Sequence, residues 1–329
     1  MQEYLLPHAE VSVHVKVKDD NTTRPAFHPG FQLLCPRCKA EVDGLQCPNC
    51  EFRMEIHNAI VHALPPERVA YYARFIAEYE RIRAAEGRGS QSEEFYLALP
   101  YKDTSGCNSQ QWKIRSRSYD YLIRHVLKPL QDCDSILDLG AGNCWMSFRL
   151  ALFGYDLVAV DLLTNENDGL GAAEHFHKHL SAPISRFQAE ATSLPFRDQQ
   201  FDVIIFNASF HYAEDYEAAL REALRCLKSG GTVIISDTPW YSREESGRKM
   251  VAERHAVFRQ RFGTASDSVN SLEFLTDERL RELEETFSIR WRVHRPWYGW
   301  RWALRPWVAK LRGRREPSRF RMYVARKYA

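Results

Sequence analysis

With 329 residues, 44% hydrophobic and 27% charged, the chain has an ordinary globular composition and room for one large unit plus a small one. A formal net charge of +2 argues against a protein built chiefly to grip RNA. No apolar run approaches the roughly 18 residues of a membrane span. The opening MQEYLLPHAEVSVHVK lacks the basic start and long apolar run of a secretory signal, so the expected compartment is the cytosol.

In chain order, EVSVHVKVK (10–18) alternates strictly, with Val11, Val13, Val15 and Val17 on one face, and predicts a half-buried strand. LLCPRCKAEVDGLQCPNCEF follows. Its Cys35/Cys38 and Cys47/Cys50 form two C-x2-C knuckles, each with proline after the first cysteine. Four thiolates so spaced can close a tetrahedral zinc shell around a tight hairpin, the alternatives being reduced or disulfide-linked cysteines. A four-cysteine shell leaves no open position for substrate, so the zinc is expected to be structural. With FRMEIHNAIVHAL after it, the segment resembles the short zinc ribbons at the front of certain ribosomal RNA methyltransferases and in small methyltransferase activator subunits. That resemblance implies partner or substrate recognition, or stabilisation alone. Cys107, Cys133, Cys144 and Cys226 are scattered and read as free thiols.

From Pro65 to about Ala98 the pattern is helical, with Val69, Tyr72, Phe75, Ile76 and Tyr79 at three- and four-residue steps and a polar break at 87–92. A second helix is predicted from Ser109 to Leu127, stopped by Pro129. LPYKDTSG between them is turn-rich and placed to fold as a lid, with Tyr96, Tyr101 and Trp112 as candidates to close on a ligand or to pack in the core.

The stretch SILDLGAGNCWMSFRLALFGYDLVAVD (135–161) is a βαβ unit: a short apolar strand, a glycine turn, a helix, and a second strand ending on Asp161. Gly140 and Gly142 let the backbone approach a ligand closely, and Asp161, about 20 residues on, is placed to accept hydrogen bonds from ribose hydroxyls. Asp138-Leu139-Gly140-Ala141-Gly142-Asn143-Cys144 resembles the first motif of the class I S-adenosylmethionine (SAM) dependent methyltransferases. Cys144 stands where a third glycine is frequent, so its side chain is expected to narrow the methionine end of the pocket.

The downstream run deepens the resemblance. Glu190-Ala191, then Leu194-Pro195-Phe196, then Phe201-Asp202-Val203-Ile204 is similar to the subgroup holding the quinone-biosynthesis C-methyltransferases, as is Leu227-Lys228-Ser229-Gly230-Gly231 before the strand TVIISD. The resemblance implies a Rossmann-like α/β fold with a seven-stranded, mostly parallel sheet closed by an antiparallel hairpin (SIRWRVHR and FRMYVARKY), and SAM as cofactor. It implies cofactor contacts from Asp138, Gly140, Ala141, Gly142, Asp161, Leu162, Glu190, Ala191 and Asn207, with the acidic side chain or backbone at 190–191 reaching the adenine amine. Asn207 and His211 follow the carboxyl end of the fourth strand, where ligands bind in open α/β sheets. His211 is the candidate general base, should the acceptor need one. TDERLRELEETF (276–287) predicts a helix capped by Thr276, and 241–262 a polar, arginine-rich helix.

The expected division is 1–64 (strand and ribbon), 65–130 (helical connector and lid) and 131–329 (catalytic domain), with an insertion at 296–318. Five of the eight tryptophans lie at 291–307, and Arg295, Arg301, Arg305, Lys310, Arg312, Arg314 and Arg315 are opposed only by Glu316. Tryptophan beside arginine suits a solvated flap, a peripheral membrane contact through 296–315, or an RNA face. The leading expectation is a methyltransferase acting on a small-molecule or lipid-linked acceptor. The alternatives are an RNA methyltransferase, disfavoured because no Asn-Pro-Pro-Tyr type segment follows the fourth strand, and a non-catalytic protein that binds a partner through the ribbon.

Overall fold

The computed structural model describes residues 30–90, 92–130 and 133–328; the predicted strand at 10–18 lies outside them. After the cysteine knuckles come a hairpin, β1 (Glu55–His57) and β2 (Ile60–His62), then α1 (Pro66–Ala85), α2 (Glu93–Ala98) and α3 (Ser109–Leu122). The predicted second helix does reach Leu127, but its final turn at 123–127 winds wider, with Lys128 N–H donating to the Ile123 carbonyl at 3.0 Å.

The alternating part follows as β3 (Ser135–Leu139), α4 (Trp145–Ala151), β4 (Asp156–Asp161), β5 (Ser185–Gln188), β6 (Phe201–Asn207), α5 (Tyr216–Cys226) and β7 (Leu227–Ser236). Then come β8 (Pro239–Trp240), α6 (Glu244–Phe262), α7 (Asp277–Phe287) and β9 (Arg292–His294), two short helices α8 (Trp300–Ala303) and α9 (Arg305–Leu311), β10 (Arg319–Phe320) and β11 (Met322–Arg326). Thr276 caps α7 by accepting from Arg279 N–H.

The sheet runs β1-β2-β5-β4-β3-β6-β7-β11-β9. Seven of these strands, β5 to β9 in that order, are the expected sheet, with β11 antiparallel to both β7 and β9. Among the described residues the sheet nevertheless has nine strands, because the hairpin behind the ribbon adds two: β2 pairs parallel with β5, Val61 opposite Phe187. The hairpin turns through Asn58 and Ala59, both at positive φ (50° and 55°), the twist a two-residue turn requires. It covers what would otherwise be an open sheet edge. The ribbon is tied to the same core: Leu33, Phe52 and Met54 pack with Phe196 and Phe201, and Leu34 N–H bonds the Pro195 carbonyl.

The expected glycine turn at 227–231 is a bulge inside β7, since the β6–β7 register jumps from Phe201–Leu227 to Val203–Thr232. Strand order reverses about β3, with β4 on one side and β6 on the other, so the carboxyl ends of β3 and β6 diverge into a crevice.

Candidate active site

The crevice is shaped first by the turn after β3. Gly140 and Ala141 donate to the Val160 carbonyl at 2.8 and 3.1 Å, which folds the turn over the end of β4. Gly140 has φ +75°, and a Cβ there would sit 2.2 Å from Ser209 Cβ, so only glycine permits this approach of β3 to the loop after β6. Asp161 accepts from Gly142 N–H at 2.8 Å through one oxygen and from Leu163 N–H at 2.9 Å through the other. Burial raises its carboxyl above the usual range against those bonds. Asp138 is buried beneath the turn, accepts from Ser147 Oγ at 2.7 Å, and is pushed up to about 7 by burial, with the nearby Asp161 charge adding to it. Cys144 adopts φ +60° and is fully buried among core residues, so it does not narrow the pocket as expected.

The opposite wall comes from the connector. Arg68, Tyr72, Phe75, Tyr79 and Arg83, at four- and three-residue steps along α1, line a cavity of about 440 Å³. Arg68 grips Glu190 with both arms (2.6 to 3.0 Å), and Tyr72 OH donates to the same carboxylate at 3.0 Å. Arg83 pairs with Asp168 near the other end of the helix. Tyr79 meets Tyr212, from the loop after β6, edge to face at 5.7 Å. Arg115 of α3 also lines the cavity; among the described residues it makes no ion pair, only a stack over Trp112 at 4.8 Å.

Residues 137–235 match a family model described as a methyltransferase domain. This segment resembles the class I SAM-dependent methyltransferases. The chain is 33% identical over 104 residues to a demethylmenaquinone methyltransferase of Mycobacterium marinum, covering 32% of this chain and 41% of that one. It is 29% identical over 110 residues to a 27-O-demethylrifamycin SV methyltransferase of Amycolatopsis mediterranei, covering 33% and 40%. It thus spans less than half the length of these relatives. The YcgJ protein of Bacillus subtilis superposes with a TM-score of 0.47 at 16% identity, over 65% of this chain and 99% of that one.

All nine residues expected at the cofactor, Asp138, Gly140, Ala141, Gly142, Asp161, Leu162, Glu190, Ala191 and Asn207, line this same cavity. His211 does not. Its loop neighbours Phe210 and Tyr212 form the wall, and His211 lies behind them, its ring 4.2 Å from that of Tyr212 and its carbonyl accepting from Glu273 N–H at 2.7 Å. Burial, then the charges of Arg254 and Arg115, hold its imidazole down at about 3, so it is neutral at physiological pH.

The lid expected from Tyr96, Tyr101 and Trp112 also sits elsewhere. Tyr96 is buried against His175 and donates to the Ser90 carbonyl, Tyr101 donates to Asp120 at 3.0 Å, and Trp112 packs edge-on to Trp145. Helix α1 takes that place. Its face reads as a core stripe in the sequence, and the signal that distinguishes it is arginine at both ends, Arg68 and Arg83, in register with three aromatics; Val69, expected inward, is exposed.

The four knuckle sulfurs lie within 4.8 Å of one another, with Cys35–Cys50 and Cys38–Cys47 at 3.5 Å. That spacing is too long for a disulfide and suits a soft tetrahedral cation.

Proposed function

We propose that this protein transfers a methyl group from SAM to a small-molecule or lipid-linked acceptor, at oxygen or carbon. The convergence of nine glycine-loop and strand-end residues on one cavity at the reversal point of the sheet carries this reading. When bound, SAM supplies a methyl group already activated on a sulfonium, so the protein's work is alignment and exclusion of water.

In this reading Gly140 to Gly142 run along the cofactor, and Asp161 keeps free lone pairs for the ribose hydroxyls beside those it gives to Gly142 and Leu163. Leu162 and Ala191, which line the cavity at the ends of β4 and β5, would hold the adenine. Because Glu190 is already held by Arg68 and Tyr72, the backbone at Ala191 is the better partner for the adenine amine. Asp138, poised near neutrality, favours a cation at the methionine end. Tyr72, Phe75, Tyr79 and Tyr212 close over the acceptor and keep water out.

Among the described residues, the wall carries no imidazole, and its carboxylates are engaged: Glu190 and Asp168 with arginines, Glu214 with Tyr71 OH and Asn270 N–H, Asp215 as the cap of α5, Asp138 with Ser147, and Asp161 with Gly142 and Leu163 N–H. We therefore assign His211 to holding the Tyr212 loop against 273, and the rate to positioning. The four cysteines hold structural zinc in this scheme, and the ribbon clamps the hairpin that extends the sheet to the Glu190 side of the cavity.

The relatives' names, which speak of demethylmenaquinone and of 27-O-demethylrifamycin SV, support a small-molecule acceptor over RNA. Two measurements test the reading. Calorimetry should detect uptake of S-adenosylhomocysteine (SAH), and methyl-labelled SAM should label an organic extract of small molecules and lipids rather than RNA. Absence of SAH uptake sinks the methyltransferase reading; label in RNA alone sinks the acceptor class.

A further inference from the structure

The insertion between β9 and β11 folds into α8 and α9 and exposes an apolar face that a monomer in water has no use for. Trp300 is 75% exposed, Trp307 70%, Leu311 86% and Trp297 57%, whereas tryptophan ordinarily buries most of its surface. On the same segment Arg295, Arg301, Lys310, Arg312 and Arg314 are all exposed and have no ion pair among the described residues; Arg301, Arg312 and Arg314 line the groove that α9 forms with Tyr241, Met250 and Glu253. Arg315 pairs with Glu253, and Glu316 accepts from Ser242.

The segment is firmly seated. Trp302 stacks on Phe320 at 5.3 Å beneath the Arg305 guanidinium, and Tyr298 is buried with its hydroxyl 2.8 Å from Ser118 Oγ, which donates to Asp237 just past β7. Arg117 donates to the Tyr298 carbonyl. These links anchor the segment beside the carboxyl end of β7, on the side of the sheet whose strand ends line the cavity.

We propose that α8 and α9 dock the protein onto an anionic lipid bilayer. Trp297, Trp300, Trp307 and Leu311 enter the boundary between headgroups and acyl chains, and the unpaired arginines and Lys310 sit against lipid phosphates. Indole at that depth keeps an apolar body in hydrocarbon and its N–H in the wet interface. Six cations in excess over residues 295–318 match a negative surface, and the near absence of acid removes the repulsion it would bring. A protein partner would meet the same apolar face but has no general need of this charge. Docking does not depend on the transfer reaction; its use, to bring the cavity mouth to a lipid-linked acceptor, rests on the reading above.

The test is flotation of the purified full chain with phosphatidylcholine vesicles, with and without about 30% phosphatidylglycerol. The chain should float with the anionic vesicles, lose most of that binding as salt rises, and show a blue shift of tryptophan emission. Trp300→Ser with Trp307→Ser and Leu311→Ser should lower partitioning at least about tenfold. Arg312→Gln with Arg314→Gln should weaken it and flatten the salt dependence. SAH uptake should be unchanged in both variants, so a failure of docking is separable from a failure of the methyltransferase reading. The proposal is overturned if wild type does not float, or if the apolar variant floats as well as wild type. It is also overturned if the face proves to be a dimer contact, seen as a native dimer that the apolar variant makes monomeric, or if single-stranded RNA is retained through these arginines while vesicles are not.

Discussion

Arg68 of α1 and Glu190, just beyond β5, form a two-armed ion pair 122 residues apart in sequence, roofed by the Tyr72 hydroxyl. The bond to Glu190 raises the Arg68 guanidinium further above its usual range, and Glu190 is buried. This pair fastens the helical connector to the catalytic sheet where the adenine is expected. Replacing Glu190 with Gln keeps the shape and removes the charge, leaving Arg68 poorly compensated at a cost of about 1–3 kcal/mol. SAH affinity should fall about five- to tenfold, together with the melting temperature. If the melting temperature drops while calorimetry returns the parent affinity, the pair is a tether and not part of the cofactor wall.

Two buried groups give the stability opposite dependences on pH. His211 is held at about 3, against 6.5 in an unfolded chain. Between those values the unfolded state binds a proton that the folded state refuses, so acidification from about pH 6.5 destabilises by at most about 1.4 kcal/mol per pH unit. Asp138 is raised to about 7, against 3.8 unfolded. Between about pH 4 and 7 its folded form keeps a proton that the unfolded chain releases, so stability falls as the pH rises through that window. His211→Gln should therefore gain relative to the parent at pH 5 compared with pH 7.5, and Asp138→Asn should gain relative to the parent at pH 7.5 compared with pH 5. Urea unfolding at the two pH values reads both differences, and an inverted sign in either refutes the assigned environment.

The knuckles should carry one zinc per chain by elemental mass spectrometry. Because the ribbon's Leu33, Phe52 and Met54 share a core with Phe196 and Phe201, metal loss is expected to reach the sheet edge as well as the ribbon. Cys47→Ser, or a strong chelator, should lower the melting temperature by several degrees and raise hydrogen exchange in β1 and β2 first. Exchange in β3 and β6 should change little. A parent-like melting curve with no metal bound would remove zinc from the account.

The glycine turn, the strand-end residues and the cysteine cluster were legible because each is a short-range pattern whose residue types are dictated by local geometry or coordination. Asp161 is two residues from the Leu163 N–H it accepts from, and Cys35 three from Cys38. The connector was not legible in the same way. Tyr72, Phe75 and Tyr79 sit on a helical stripe that periodicity assigns to a core, and nothing local says that the surface they face is a cavity. The hairpin at 55–62 escaped because its turn, Asn58-Ala59, lacks the glycine that advertises such turns, and because its partner strand lies more than 120 residues away. His211 sits at the right sequence distance from β6, yet the tight turn at Phe210–Tyr212 rotates it behind its neighbours, a detail that alternation along the strand does not carry.

The contact between Gly140 and Ser209 offers the sharpest test of the crevice. A methyl group at 140 would meet Ser209 Cβ at 2.2 Å and would also sit on a left-handed backbone costing about 1–2 kcal/mol. Gly140→Ala should thus force β3 and the loop after β6 apart and reduce SAH uptake by two orders of magnitude or more, about 3 kcal/mol. Ser209→Gly removes the obstructing atoms, and the hydroxyl it also removes only donates to the Leu139 carbonyl. The double variant should recover part of the lost affinity, limited by the remaining backbone strain. Calorimetry on the two single variants and the double completes the cycle. Additive losses would show that the two positions do not touch in solution, and the close approach that shapes this end of the cavity would have to be abandoned.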